Sequence, residues 1–228
     1  FVGGTASIVT ATTATSQNIT IRDCSFFGAS TNTNQVAGIT NSGMTPFNWL
    51  IDRCYILFPH NNVGFLFTAG TTNASADFAL SVMISNSLII NGAAVRLTGT
   101  ASTFKPGGVR ILGCLLVGSS GTGLQTSTGA STSLPCRVDQ TVIYYPSGTG
   151  LNAQASGQIL ETYNIIVATT PRTNVNAGTG SISDNSYAPL VHFGQETQWG
   201  GLLRRFGEPM SGSPLLGFGS QDPIASNP

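Results

Sequence analysis

Lysine is almost missing from this chain: Lys105 is the only one among 228 residues. Charged residues of every kind make up 8% of the sequence, nine basic against nine acidic, for a formal net charge of zero. That is about a third of the share found in ordinary globular domains. Binding nucleic acid needs clustered Lys and Arg to neutralise phosphates, so nucleic acid is not expected as a partner. No apolar run reaches the roughly 18 residues of a membrane span. The four cysteines, at 24, 54, 114 and 136, show no Cys-x-x-Cys or other metal-ligand spacing, so neither a metal nor a cofactor is expected. Helix signals are nearly absent too, because Gly, Pro, Thr and Ser interrupt every potential run. The chain starts at Phe1 rather than Met, which fits a processed or partial product and leaves targeting undecided. Low charge with abundant Thr, Ser and Gly suits an extracellular, cell-surface or virion-surface setting. Two N-x-S/T sequons, at Asn18 and Asn73, are chance-level signals.

What is present is a repeat. The stretch Val109–Leu124, VRILGCLLVGSSGTGL, meets Cys136–Leu151, CRVDQTVIYYPSGTGL, 27 residues later, and Val82–Leu97, VMISNSLIINGAAVRL, 27 residues earlier. The shared template is apolar, x, x, Cys-or-small, x, apolar. It begins with Ile21-Arg-Asp-Cys24-Ser-Phe26 and Ile51-Asp-Arg-Cys54-Tyr-Ile56, and continues through Ser87, Cys114 and Thr141 at the same position. Two weaker copies follow, Leu160-Glu-Thr-Tyr163-Asn-Ile165, whose register admits a shift of one residue, and Ile182-Ser-Asp-Asn185-Ser-Tyr187. The Cys position thus recurs at 24, 54, 87, 114, 141, 163 and 185, at intervals of 30, 33, 27, 27, 22 and 22.

Before each Cys position alternate residues are apolar: Ile19/Ile21, Trp49/Ile51, Val82/Ile84, Val109/Ile111 and Cys136/Val138. Alternation over a few residues predicts a strand with one buried face. A corner follows at Asp23, Arg53, Asn86, Gly113, Gln140 and Thr162; Asp, Asn and Gly suit a left-handed bend there, Arg53 and Thr162 do not. A third apolar mark comes later in each copy, at Val36–Ile39, Val63–Leu66, Val95/Leu97, Leu124, Leu151 and Val175, with Gly28–Gln35 and His60–Asn62 expected to project as loops. Three short parallel strands per turn of 22–33 residues make a solenoid.

The segments NITIRDCSFFG and VMISNSLIING resemble the repeats of the right-handed parallel β-helix, or pectin-lyase-like, superfamily, over roughly residues 18–187. The resemblance implies an all-β solenoid of about seven coils, with residues 1–17 as an N-terminal cap or partial coil. It is unspecific for activity, because that superfamily holds polysaccharide lyases, glycoside hydrolases, phage tailspikes and adhesins. Residues 188–228 change character: five of the eleven prolines lie beyond Ser186, with Arg204-Arg205 and an SPLLGFG run that resembles closing segments of secreted bacterial β-helix proteins. A solenoid needs an end that stops further strand addition, and this Pro-rich tail is the expected C-terminal cap.

Four sets of residues are site candidates. Cys24, Cys54, Ser87, Cys114 and Thr141 would stack inward about 4.8 Å apart. That separation is too long for good disulfide geometry between Cys24 and Cys54, which favours a ladder of free thiols and hydroxyls. Arg22, Asp23, Asp52 and Arg53 would form an ion ladder, Arg22 over Asp52 and Asp23 over Arg53. A lyase reading would make one arginine a base and have the carboxylates hold Ca²⁺, but calcium takes about six to eight oxygen ligands. Asp139 and Glu161 fall at one template position on adjacent copies, where stacking at roughly 5 Å would permit an acid–base pair acting on a glycosidic bond. The hydrolases of the resembled superfamily also carry His-Gly and Arg-x-Lys signatures; here His60 precedes Asn, His192 precedes Phe, and no Arg-x-Lys exists. Finally, Phe27, Tyr55 and Tyr144 are candidates to stack on sugars from an outer face. The sequence thus points to a non-catalytic structural or adhesive protein that associates with itself. The alternatives are a polysaccharide lyase or hydrolase, or a tailspike-like module that binds glycans.

Overall fold

The computed structural model describes residues 2–3, 9–11, 18–28, 37–41, 48–68, 82–98, 109–118, 120–126 and 135–183. All of them belong to Phe1–Asp184, the first of two units into which the chain divides. The expected C-terminal cap, residues 188–228, lies outside the described residues, as does the Asn73 sequon.

Among the described residues there is no helix; the elements are strands, and every pairing between them is parallel. In chain order they are β1 (Val2–Gly3), β2 (Val9–Ala11), β3 (Thr20–Arg22), β4 (Ser25–Gly28), β5 (Ala37–Asn41), β6 (Trp49–Asp52), β7 (Tyr55–Thr68), β8 (Val82–Ser85) and β9 (Leu88–Thr98). There follow β10 (Val109–Leu112), β11 (Leu115–Val117), β12 (Thr122–Thr126), β13 (Cys136–Asp139), β14 (Val142–Asn152), β15 (Ile159–Thr162), β16 (Ile165–Thr173) and β17 (Ile182–Ser183). The strands before the corners assemble in the order β15-β13-β10-β8-β6-β3, a six-stranded sheet; the remaining strands form an eleven-stranded one.

Sequence alternation sets which side of the six-stranded sheet is buried. Trp49, Ile51, Val82, Ile84, Val109, Ile111, Cys136 and Val138 are all at most 2% exposed and stand in register from strand to strand. The residues between them, Met83, Arg110, Arg137 and Leu160, share the opposite face. Each fully buried aliphatic side chain contributes about 1.5–3 kcal/mol.

The corners explain why the stack tolerates such varied residues. Asp23, Arg53, Asn86, Gly113 and Gln140 all have φ between 48° and 61°. The left-handed bend points both the corner N–H and the following carbonyl along the stacking direction. Asp23, Arg53, Asn86, Gly113 and Gln140 each donate N–H to the pre-corner carbonyl of the next repeat, at 3.0–3.2 Å. The carbonyls of Cys24, Cys54, Ser87 and Cys114 each accept from the next repeat at 2.9 Å. The corner N–H and the following carbonyl are thus both paired, and that satisfaction outweighs the modest cost of left-handed φ at Arg53 and Gln140.

Two local expectations change. The sixth corner is Tyr163 (φ 52°), not Thr162, because β13 and β15 pair Asp139 with Thr162. Ile182 pairs with Ile165, so the last Cys-position residue is Ser181 rather than Asn185. The excursion expected at His60–Asn62 falls within β7, where the four residues between Phe58 and Val63 stand against one between Asn91 and Ala93. The GTGL motif has a packing cause: Thr122 and Leu124 pair with Thr149 and Leu151, and a Cβ at Gly150 would run into the Ile166 side chain and the Pro171 carbonyl.

Candidate functional site

The column that holds the cysteines is a hydrogen-bonding device. Ser87 Oγ donates to the Ser85 carbonyl (2.7 Å) and Thr141 Oγ1 to the Asp139 carbonyl (3.0 Å). The Cys54 and Cys114 thiols donate to the corresponding carbonyls, two residues back, at 3.4 Å. Where the next member carries an oxygen, that oxygen accepts the N–H of the member before it: Cys54 N–H to Ser87 Oγ (3.0 Å), Cys114 N–H to Thr141 Oγ1 (3.3 Å), Thr141 N–H to Asn164 Oδ1 (2.8 Å) and Asn164 N–H to Ser181 Oγ (3.0 Å). Asn164, not Tyr163, is therefore the sixth member. All four cysteines are free, and Cys136 stands apart from the column, registered with Ile159. Burial pushes the Cys114 thiol up to about 12 and raises Cys136 and Cys54 as well. A thiol-specific reagent near pH 8 is therefore expected to modify Cys24, the half-buried one, and to reach the other three only after unfolding. Modification of Cys114 in the folded protein would contradict the column.

The four charged residues of the ion ladder meet. Arg53 grips Asp23 with two nitrogens, at 2.7 and 2.8 Å, and reaches Asp52 Oδ2 with Nη1 at 2.8 Å; Arg22 Nε lies 3.5 Å from the same oxygen. Asp52 is 6% exposed, and its Oδ1 accepts from Ser85 Oγ (2.8 Å) and Asn86 Nδ2 (3.0 Å). Those hydrogen bonds from Asn86 and Ser85, aided by Arg53 and Arg22, hold its carboxyl below the ordinary value. The arrangement locks three successive repeats together and leaves Asp52 with no free edge for a ligand.

Asp139 and Glu161 do not form a pair. Glu161 registers with Val138, so it points inward at the position filled by isoleucine in four earlier repeats, while Asp139 sits beside Thr162. A one-residue slip in a strand sends side chains to opposite faces. Glu161 is 2% exposed and fully engaged. Its Oε1 accepts from Arg172 Nε (2.9 Å) and Gly178 N–H (2.7 Å), and its Oε2 from Asn164 Nδ2 (2.7 Å) and Ser181 Oγ. Burial pushes this carboxyl up, but the bonds from Ser181, Asn164, Gly178 and Arg172 outweigh burial and hold it below the usual glutamate value. At Gly178 the chain runs so close to the Glu161 carbonyl that any Cβ would overlap it. Asp139 in turn accepts Thr162 Oγ1 at 2.6 Å and Arg110 Nε at 3.1 Å.

The aromatic candidates separate. Tyr55 and Tyr144 are half-buried in β7 and β14, in register with Leu88 and Val167. Phe27 lies in β4 opposite Leu57, but its side chain is outside the described residues. Among the described residues no group of three or more His, Cys, Asp or Glu is placed to hold a metal ion.

Sequence reading missed a cleft of about 300 Å³ beside β15, lined among others by Arg137, Asp139, Leu160, Thr162, Asn176 and Thr179. A signal for it was present: Arg110 and Arg137 stand 27 residues apart, at one template position of two adjacent repeats. No protein-family model matches this chain, and neither a curated protein nor a solved structure is detectably similar to it.

Proposed function

We propose that the chain is a right-handed parallel β-helix of about seven coils, pectin-lyase-like in architecture and closed by its Pro-rich C-terminal segment. We further propose that it serves as a non-catalytic structural or adhesive component at an extracellular, cell or virion surface, associating with itself. The observation that carries this reading is the engagement of the carboxylates. Asp23, Asp52, Asp139 and Glu161 each accept hydrogen bonds from neighbouring repeats or the adjoining chain. A general acid or base needs a reachable oxygen beside its substrate; here the four acids among the described residues tie one repeat to the next. On β12, β14 and β16 polar residues stand in register, Thr122 with Thr149 and Thr170 and Gln125 with Asn152 and Thr173; such a wall suits lateral packing of copies, and parallel strand edges can be extended by another chain.

Light scattering across a concentration series, with negative-stain imaging of the same material, tests it. Particles larger than one chain are expected, and monomers at every concentration would dismiss self-association. Incubation with a panel of acidic polysaccharides, with and without Ca²⁺, is expected to release no products. Turnover would instead favour the lyase or hydrolase reading, and glycan binding without turnover the tailspike-like one.

A further inference from the structure

Three features outside the scaffold just described converge on the outward face of the last strands of the six-stranded sheet. The first is a pair of like charges. Arg110 and Arg137 are directly registered on β10 and β13, an arrangement that costs stability. Both are exposed, Arg110 with 47% of its side chain open to solvent.

The second is where the nearby carboxylate goes. Asp139 has a side chain 13% exposed, and its oxygens bond Arg110 (3.1 Å) and the Thr162 hydroxyl (2.6 Å) rather than Arg137. Glu161, beneath the same cleft, is turned inward to Arg172, Gly178, Ser181 and Asn164. Arg137 makes no ion pair among the described residues, although an acid lies on its own strand two residues away.

The third is Leu160, registered with Arg137 on β15 and 46% exposed, the one large hydrophobic side chain that is exposed among the described residues. Arg137 and Leu160 both line the cleft of about 300 Å³, whose far wall is the Asn176–Thr179 segment. That volume is at the lower end of small-molecule sites. Among the described residues this cation has no counter-ion, and the pairing of charge with apolar surface suits a ligand with both.

We propose that this cleft binds a small organic monoanion, an oxyanion group seated on the Arg137 guanidinium with an apolar body against Leu160. The guanidinium offers two parallel N–H donors to a carboxylate, sulfonate or phosphate edge. Arg110 is engaged by Asp139 at 3.1 Å, which leaves Arg137 as the arginine that faces the ligand. Asn176 and Thr179 also line the cleft. The site is independent of whether the chain assembles or turns over glycans.

Calorimetric titration of the full chain with benzenesulfonate, benzoate, neutral benzamide and inorganic sulfate tests the proposal. One of the two aromatic anions is expected to bind saturably and more tightly than either benzamide or sulfate, and which one is preferred tells a planar oxyanion from a tetrahedral one. Arg137→Gln is expected to weaken that binding roughly tenfold to a hundredfold, while its unfolding midpoint stays equal to wild type or rises as the like-charge contact is relieved. Arg137→Lys keeps the charge without the fork and is expected to fold normally and bind with intermediate affinity. Leu160→Thr is expected to erase the advantage of the aromatic anion over inorganic sulfate. Equal binding of benzamide, unchanged affinity in Arg137→Gln, or no saturable binding of either anion would each overturn the proposal.

Discussion

Glu161→Ala is expected to lower the unfolding free energy by about 3–5 kcal/mol, the range for removing one partner of a buried ion pair. The size follows from what is left behind. Arg172, with a side chain only 12% exposed, loses the carboxylate 2.7 Å away, and the Gly178 N–H and the Asn164 amide each lose an acceptor. Denaturant unfolding followed by tryptophan fluorescence measures it, since Trp49 is 2% exposed in the same core. The pH dependence supplies a second signature. The Glu161 carboxyl is held below its ordinary value of 4.5 in the folded chain, so the unfolded chain binds the proton more readily. Its contribution is therefore complete above that ordinary value and is lost as pH falls through the lower, folded one. Glu161→Gln is expected to flatten this part of the acid limb and to leave the part due to Asp52, which is depressed for its own reasons. An acid limb as steep in Glu161→Gln as in wild type would show that Glu161 is not a buried acceptor.

Ile159→Ala and Leu160→Ala, neighbours in one strand, are expected to differ several-fold. Ile159 is 2% exposed and packs in the core row with Cys136, so its truncation should cost about 2–5 kcal/mol. Leu160 is 46% exposed on the other face, and its truncation should stay within about 0.5 kcal/mol. Equal losses would mean that the strand register, and with it the inward placement of Glu161, is wrong.

These two substitutions lie where the sequence was hardest to read. In the first five repeats an apolar residue recurs at every second position before each corner, although Leu50, Met83 and Leu112 are apolar at positions between, and none of these repeats sets an acid in that recurring row. In the sixth, Ile159, Leu160 and Glu161 offer two apolar residues in a row followed by an acid. A reading that keeps apolar residues inside puts Leu160 in the core and Glu161 outside. The folded chain does the reverse, because Glu161 is held by Arg172, Gly178 and Ser181, which lie 11, 17 and 20 residues further on. Nothing local to β15 announces those partners.

The corners show the opposite case. Arg53 was a poor local candidate for a left-handed bend, yet it bends there with φ 50°. The stacked carbonyls and amides on both sides determine the backbone, and the side chain is free to grip Asp23 and Asp52. Asp139 gains its role in the same way, through the Arg110 and Thr162 side chains of the repeats before and after it.

By itself, then, the sequence determined strand content, parallel stacking of repeats and the inward rows from Ile19 to Val138, because period-two alternation and a recurring corner encode them locally. Only the tertiary structure decided that Glu161 is buried, that Asn164 and Ser181 complete the column, and that Arg137 lines a cleft without an ion pair among the described residues. Each of those depends on which oxygen or nitrogen arrives from another repeat, and hydrogen-bond partners brought together by stacking leave no periodic trace in the chain.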